Sequence, residues 1–353
     1  MSANVFEKTF FMGGIQTLIS AMDLSPNNNL LAVGDSFGKV ELWNVSEKDP
    51  KKIEIEKHQS DEIYSVAFSP GSEFLVDACQ DKSIKVWRIR ETPKVVQGVS
   101  FTSPVKCVAF SPDGRIMASG VQSGYIYLFK MSEGKWISYN NNLNMTHVGD
   151  VYDVVFSYDN KTLASASADR KVKLWDVEKK NLKKNLKGTL EGHRQDIICV
   201  CFSLDNKTLA SASYDETVKL WDVSGDTPKE KSTLTQSYSF VRTMAFSPDG
   251  NTLALGTTGN AVKLFDVSGD TPELKGTLSV VARESLFVKF SPDGKTITVG
   301  SADNKGWALS MFKNSDPIKL ARDPKLWPLL KNLPEDIVGI VVGKDPDLYY
   351  TPW

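Results

Sequence analysis

The sequence predicts an all-β fold built from seven similar units, and three observations support this prediction. An aromatic residue or a leucine recurs in pairs whose two members are always nineteen residues apart. Successive pairs follow at intervals of 42 to 46 residues, so the spacing is fixed within a unit and varies only between units. Each unit contains short apolar runs separated by turn residues, as in consecutive antiparallel strands. The seven pairs are Leu24/Trp43, Phe68/Trp87, Phe110/Phe129, Phe156/Trp175, Phe202/Trp221, Phe246/Phe265 and Phe290/Leu309.

The fifth unit illustrates the predicted strands. Residues 196–203, 208–213 and 217–223 are apolar runs rich in β-branched and aromatic residues. A fourth run follows each unit, for example at residues 187–190 and 275–278. Four strands in each repeat match one blade of a β-propeller, so we predict seven blades of four antiparallel strands.

The connections between the predicted strands also have suitable residues. The sequence Ser-Pro-Asp-Gly occurs at 111–114, 247–250 and 291–294, directly after the first member of a pair. Proline early and glycine late in a tight turn meet its backbone requirements. These segments are therefore predicted to join the first and second strands of their blades.

With these motifs, the chain resembles the WD40-repeat β-propeller family over roughly residues 5–312. Trp175-Asp176 and Trp221-Asp222 match the dipeptide that gives the family its name, and Gly192-His193 matches the other half of the signature. Segments 160–177 and 206–223 are nearly the same sequence, which indicates duplication within the chain. The resemblance implies a seven-bladed propeller.

The resemblance also implies a hydrogen-bonded tetrad of His, Ser, Asp and Trp within a blade. A buried indole N–H and a buried carboxylate both need partners, which an imidazole and a hydroxyl can supply. The second unit departs from this pattern, because His58 is shifted by one residue and Asp77 replaces the serine. The expected tetrads are His147, Ser165, Asp169 and Trp175 in blade four, and His193, Ser211, Asp215 and Trp221 in blade five.

Two domains are predicted, a propeller at 1–312 and a C-terminal segment at 313–353. Register places residues 6–11 as the outer strand of the last blade, which would close the ring and remove free strand edges. Residues 318–321 are an alternative for the same place. The C-terminal segment is rich in proline and aromatic residues, and we expect it either to pack on the propeller or to bind a partner.

Composition indicates which environments the chain is suited to. The net charge is −1 and no long apolar run is present, so we expect neither nucleic acid nor membrane as a partner. The N-terminus has no apolar signal core, and we therefore predict a cytoplasmic location. Cys79, Cys107, Cys199 and Cys201 fall within predicted strands and are expected to be buried thiols. Five lysines between residues 179 and 187 are interpreted as a solvated loop rather than a phosphate-binding patch.

No combination of residues predicts catalysis. The three histidines, His58, His147 and His193, all precede a first strand and have structural roles in the repeat. No histidine is left as a general base, and no His/Cys/acid cluster has metal-ligand spacing. We therefore predict no enzyme activity, no cofactor and no metal.

The predicted binding surface is the loop face, which bears the loops into the first strands and the turns after the second strands. In this family, partners often dock on that face. Aromatic and acidic side chains there would suit a short peptide containing basic residues. The predicted partner-binding residues are Glu62, Tyr64, Lys106, Asp150, Tyr152, Asp196, Tyr214, Phe240, Arg242 and Glu284.

The sequence thus predicts a non-enzymatic scaffold that binds partner peptides or domains, either monomeric alone or as a component of a complex. One alternative is a regulatory sensor or adaptor whose C-terminal segment gates the propeller surface. A second alternative is an enzyme with a metal or sugar in the central channel.

Overall fold

The fold consists of seven four-stranded antiparallel sheets in the part of the chain that the structure describes. The structure is a computed structural model, and it describes residues 6–13, 18–47, 50–53, 55, 61–90, 92–138, 146–178, 185–235, 240–280, 284–303 and 306–313. Six sheets use four strands that are consecutive in sequence, and the seventh combines three strands with the first strand of the chain. The all-β, seven-bladed prediction is confirmed.

The strands occupy four positions in each blade. The innermost strands are β2 (Ile19–Leu24), β6 (Ile63–Phe68), β10 (Val105–Phe110), β14 (Val151–Phe156), β18 (Ile197–Phe202), β22 (Val241–Phe246) and β26 (Glu284–Phe290). The second strands are β3 (Leu30–Asp35), β7 (Phe74–Cys79), β11 (Ile116–Val121), β15 (Thr162–Ser167), β19 (Thr208–Ser213), β23 (Thr252–Thr257) and β27 (Thr296–Asp303).

The outer half of each blade holds the remaining strands. The third strands are β4 (Val40–Asn44), β8 (Ser83–Arg88), β12 (Ile126–Ser132), β16 (Lys171–Asp176), β20 (Thr217–Asp222), β24 (Ala261–Asp266) and β28 (Gly306–Lys313). The outermost strands are β5 (Lys51–Ile53), β9 (Lys94–Ser100), β13 (Lys135–Ser138), β17 (Leu186–Glu191), β21 (Lys229–Thr235), β25 (Glu273–Ser279) and β1 (Phe6–Gly13).

The blades form a closed ring around a central channel. Each innermost strand contacts the next one along the chain, and β26 contacts β2 to complete the circle. On the outside, β1 pairs antiparallel with β28, so strands from the two ends of the propeller meet in blade seven. The alternative closing segment, 318–321, lies outside the described residues, as do most of residues 313–353.

The hydrophobic core is divided among the seven interfaces between neighbouring blades. Seven clusters of buried side chains each combine residues from two adjacent blades, and the last joins blade seven to blade one. Burial of apolar area between blades is therefore the main stabilising term, since a single blade cannot cover both of its faces. All four cysteines are buried free thiols.

The turns between first and second strands repeat one geometry. In the third blade, Gly114 has φ +70° and its N–H donates to the Ser111 carbonyl at 2.8 Å. The Ser111 hydroxyl also donates to Asp113 at 2.6 Å. Asn160 and Asn206 take the same left-handed conformation in blades four and five, because asparagine tolerates it better than most side chains.

Candidate protein-interaction surface

The residues of the blade-five tetrad lie in contact in the structure. Trp221 Nε1–H donates to Ser211 Oγ at 2.8 Å, and Ser211 Oγ lies 2.8 Å from His193 Nε2. His193 Nδ1 lies 3.0 Å from Asp215 Oδ2, which also accepts the backbone N–H of Arg194 at 2.8 Å. The relay therefore joins the third strand, the second strand and the loop before the first strand.

Blade four repeats this arrangement. Trp175 Nε1–H donates to Ser165 Oγ at 2.8 Å, and Ser165 Oγ lies 2.7 Å from His147 Nε2. His147 Nδ1 lies 2.8 Å from Asp169 Oδ2, which also accepts the Val148 N–H at 3.1 Å. Both imidazole nitrogens have a partner, so His147 is held in one orientation.

The protonation states follow from these contacts. Burial lowers the pKa of His147 despite its bond to Asp169, so the imidazole is neutral at pH 7. Burial alone would raise the pKa of Asp169, but hydrogen bonds from His147 and two backbone N–H groups lower it to about 2. The pKa of His193 is lowered in the same way, and that of Asp215 is lowered to about 2. Each neutral imidazole therefore donates Nδ1–H to a carboxylate and accepts the serine hydroxyl at Nε2.

Blade two satisfies its tryptophan differently. Trp87 Nε1–H donates directly to Asp77 Oδ2 at 2.6 Å, with both residues fully buried. His58 lies outside the described residues. The aspartate that replaces serine in the sequence thus takes over the serine's role as the indole acceptor.

The central channel opens on the loop face as a cavity of about 360 Å³. Its wall combines residues from the innermost strands of several blades with Tyr214 from the turn after a second strand. The predicted binding residues that line it are Glu62, Tyr64, Lys106, Tyr152, Tyr214 and Arg242. The remaining four, Asp150, Asp196, Phe240 and Glu284, lie at the ends of the same or neighbouring strands.

Several side chains of this rim are paired with one another. The Lys106 ammonium lies 3.6 Å from the centre of the Tyr64 ring, and the Tyr64 hydroxyl donates to Gln80 at 2.7 Å. The Tyr152 hydroxyl donates to Asp196 at 3.2 Å. These contacts hold the tyrosines in fixed positions, with Lys106 over one face of the Tyr64 ring.

The remaining pairs lie on blades five to seven. Arg242 donates to Glu284 at 3.1 Å, and the Tyr214 and Phe240 rings pack edge to face with centroids 5.3 Å apart. Glu284 is therefore neutralised by Arg242. The sequence analysis predicted no pairs among these side chains. The partners lie on neighbouring blades and are therefore about forty positions apart in the sequence.

Uncompensated negative charge is concentrated on blades two, four and five. Among the described residues, the Glu62 carboxylate has no ion pair or hydrogen-bond partner. Burial raises the pKa of Asp150, with Asp196 adding to the shift and Lys106 opposing it. Burial and the nearby Asp196 and Asp150 raise the pKa of Tyr152 to about 12. This side of the cavity favours a cation.

Nothing in the site indicates catalysis. The two described histidines, His147 and His193, are both engaged in the tetrads. The described residues contain no group of three or more His, Cys, Asp or Glu side chains arranged to hold a metal ion. The arrangement can bind a partner through rings, carboxylates and shape.

Comparison with family models matches the WD domain, G-beta repeat, at residues 50–88, 94–130, 141–176, 184–222 and 228–266. These segments together cover more than half of the chain. The protein belongs to the WD-repeat family. WD-repeat propellers act as non-enzymatic scaffolds and adaptors that bind protein partners, in agreement with the predicted class of function.

Curated relatives match over part of their length. A Chromatin assembly factor 1 subunit of Mus musculus is 32% identical over an alignment of 154 positions, and the match covers 36% of this chain and 27% of the relative. The Oryza sativa Chromatin assembly factor 1 subunit FAS2 homolog is 29% identical over 39% of this chain and 30% of its own length. The Dictyostelium discoideum Periodic tryptophan protein 2 homolog is 31% identical over 35% of this chain and 13% of its own length. The chain thus spans less than a third of these relatives.

The predicted cytoplasmic location is wrong. Relatives that match are named for chromatin assembly, a process of the nucleus. The absence of a signal core, on which the prediction rested, cannot distinguish nucleus from cytoplasm. The described residues contain no helix with the length and hydropathy to cross a bilayer.

Sequence reasoning missed one cluster that ties the ring together. Lys289 Nζ donates to Asp23 Oδ1 at 2.6 Å and to the Leu24 carbonyl at 2.8 Å, which links blade seven to blade one. Asp23 Oδ2 also accepts the Phe68 N–H of blade two at 2.8 Å. The only signal in the sequence was that Asp23 directly precedes Leu24, the first member of the first pair. An acid at that position has no defined role in the repeat.

Proposed function

We propose that this protein is a scaffold that binds a basic peptide segment of a protein partner at the loop face. The observation that carries the proposal is the central cavity, whose wall combines three tyrosines with the Glu62 carboxylate, which has no ion-pair partner among the described residues. Rigid aromatic side chains supply contact area at low entropic cost, and an unpaired carboxylate supplies a partner for a cation.

The distribution of charge supports a lysine or arginine side chain as the group that enters. Glu62 of blade two lines the cavity, and Asp150 and Asp196 precede the innermost strands of blades four and five. Among the described residues that line this side of the cavity, the basic one is Lys106. On the other side, Arg242 and Glu284 neutralise each other. The entering cation would therefore lie toward blades two to five.

The named relatives support a setting for this scaffold. Because several are chromatin assembly factor subunits, we propose that the chain works in the nucleus, within a protein complex that acts on chromatin. We propose a basic protein segment rather than nucleic acid as the ligand, since the cavity is small and the carboxylates of Glu62, Asp150 and Asp196 on one side of it would repel a polyanion.

The division into two domains belongs to the same proposal. We propose that residues 1–312 form the binding propeller and that residues 313–353 are a separate segment. The described residues that line the loop-face site all belong to the propeller, so the site should not require that segment for its basic affinity.

Binding of short synthetic peptides to the full chain tests this function. A peptide containing arginine and lysine should bind, and the same peptide with these residues replaced by glutamine should not. Glu62→Gln and Asp196→Asn should slow association and flatten its salt dependence, whereas Tyr152→Ala should mainly speed dissociation. Glu178→Gln, an exposed acid-to-amide change on the opposite face, is the matched control and should leave binding unchanged. Equal binding of both peptides, or an equal effect of the control, would contradict the proposal.

A further inference from the structure

A second cavity, of about 490 Å³, lies on the opposite face of blade two. It is lined by Glu73, Arg88, Arg90, Thr92 and Lys94. Arg88 ends the third strand and pairs across the sheet with Lys94 of the outermost strand. Three basic side chains thus surround one acid at a single blade edge.

The basic residue at this position departs from the pattern of four of the other six blades, whereas blades three and seven have Lys130 and Lys313 there. Arg88 faces the first residue of the second strand, and the corresponding residues of blades one, four, five and six are Asn44, Asp176, Asp222 and Asp266. Each of these four accepts the backbone N–H two residues later, at 3.0 Å, and so closes the turn. Arginine cannot accept this bond, so Arg88 gives up a turn contact that blades one, four, five and six keep.

The cluster is more than an ion pair with its charges exchanged. Blades four and five have Lys161 and Lys207 where blade two has Glu73, and an aspartate where blade two has Arg88. Glu73 and Arg88 alone would therefore be enough to exchange the two charges of this pair. Blade two has Arg90 as well, at 3.5 Å from Glu73, while Arg88 Nε lies 3.9 Å from the same carboxylate. Both distances are too long for hydrogen bonds.

Arg88 is nevertheless held in place. Its guanidinium carbon lies 5.5 Å from the centre of the Phe74 ring, and Phe74 packs edge to face on Trp136 at 6.4 Å. Arg88 Nε is buried without a hydrogen-bond partner among the described residues. A positioned guanidinium fork with an unused buried donor is suited to an incoming oxyanion.

We propose that this pocket, formed by Arg88, Arg90, Thr92, Lys94 and Glu73, binds the phosphoryl group of a phosphorylated peptide segment of a protein partner. The three bases and one acid among its described lining residues leave two positive charges, which a phosphoserine of charge about −2 balances. Asp176, Asp222 and Asp266 stand at the same strand position in blades four to six, so an extended polyanion that followed the rim past Lys130 of blade three would meet three acids. A single compact anion fits this environment better.

The test measures binding of four probes to the full chain at one ionic strength. They are a short peptide with phosphoserine between neutral residues, the same peptide with serine, the same peptide with aspartate, and a single-stranded DNA oligonucleotide. The phosphopeptide should bind about tenfold or more tightly than each of the others, as expected for loss of one charge-assisted bond. Inorganic phosphate should compete with it.

Arg88→Asp is the decisive variant, because it restores the residue that the repeat has in three other blades. It should reduce phosphopeptide affinity by about tenfold or more without lowering the melting temperature. Arg90→Ser, at an exposed side chain, should reduce affinity as well and provides a second variant should Arg88→Asp fold poorly. Lys130→Asp makes a matched charge change at the same position of blade three and should have no effect.

Three outcomes would overturn the inference. Equal binding of the serine or aspartate peptide would exclude recognition of the phosphoryl group. Equal or tighter binding of DNA would identify a nucleic-acid surface instead. An equal loss of affinity in Lys130→Asp would show that net charge, and not this pocket, determines binding. The basic-peptide site on the loop face is independent of all three.

Discussion

Blade five and blade two bury the same indole at the same position, but they satisfy its N–H in different ways. In blade five, Trp221 reaches Asp215 through Ser211 and His193, and the carboxylate in turn holds the Arg194 N–H. In blade two the carboxylate of Asp77 receives the Trp87 N–H itself. Both arrangements remove the cost of an unpaired buried donor.

The two arrangements differ in the parts of the blade that their hydrogen bonds connect. Asp77 and Trp87 sit on neighbouring strands that the backbone ladder already joins. The relay of blade five adds the loop before the first strand, and Asp196 of the proposed binding site follows His193 by three residues in that loop. In blade four, Asp150 follows His147 at the same distance. The tetrads therefore stabilise the loops that present the acids of the loop face.

Other blades extend the comparison. Trp43 of blade one donates to Glu41 at 3.2 Å, and Glu41 is also paired with Lys39 and Lys52. Trp307 of blade seven is fully buried and its Nε1 has no partner among the described residues. Among the described residues, only the relay reaches the loop before a first strand, so we expect these loops of blades four and five to be the most firmly held.

The largest expected effect comes from emptying the tryptophan sites. Trp221→Ala should lower the free energy of unfolding by about 3–5 kcal/mol, the usual cost of removing a large buried aromatic ring. Trp87→Ala should cost about 1–3 kcal/mol more, because it also removes the 2.6 Å hydrogen bond that the buried Asp77 carboxylate accepts. Urea unfolding of the two variants measures the difference. A smaller loss for Trp87→Ala would show that direct pairing contributes little.

A smaller effect is expected from interrupting the relay. Ser211→Ala leaves Trp221 Nε1 and His193 Nε2 unpaired and should cost about 1–3 kcal/mol. Its effect should not add to that of His193→Ala, because the two side chains act in one network, with a coupling of about 0.5–3 kcal/mol. Ser165→Ala, in blade four, is the control and should add to Ser211→Ala. Additive effects within blade five would contradict the relay.

The sequence predicted the propeller because constant spacing within each unit leaves few alternative folds, and the seven sheets agree with it. It also picked out the serine, histidine and aspartate positions that meet in blades four and five. The pairs on the loop face, such as Tyr152 with Asp196 and Arg242 with Glu284, were not predictable, since they depend on how side chains of adjacent blades turn toward each other. The binding role of that face stays a prediction.

The smallest expected effect is on the pH dependence of stability. Two groups of blade four, His147 and Asp153, change the free energy of unfolding in opposite directions as the pH falls. The pKa of His147 is lowered by burial, so the unfolded chain binds the proton more tightly and stability falls as the pH drops through 6.5. Asp153 accepts the Val200 N–H at 2.9 Å, and burial raises its pKa from 3.8 to about 7. The folded protein therefore holds that proton more tightly, and stability rises as the pH falls from about 7 toward 3.8.

Variants at these two positions should change the slope of stability against pH in opposite directions. Asp153→Asn keeps an acceptor for Val200 but no longer titrates, so stability should fall more steeply between about pH 7 and pH 5. His147→Ala should make the same decline shallower. Because Asp153 keeps some exposed surface, its effect should be below the roughly 1.4 kcal/mol per pKa unit of a fully buried group. Urea unfolding at both pH values gives the two slopes, and a change of the same sign in both variants would show that the carboxyl of Asp153 stays ionised in the folded ring.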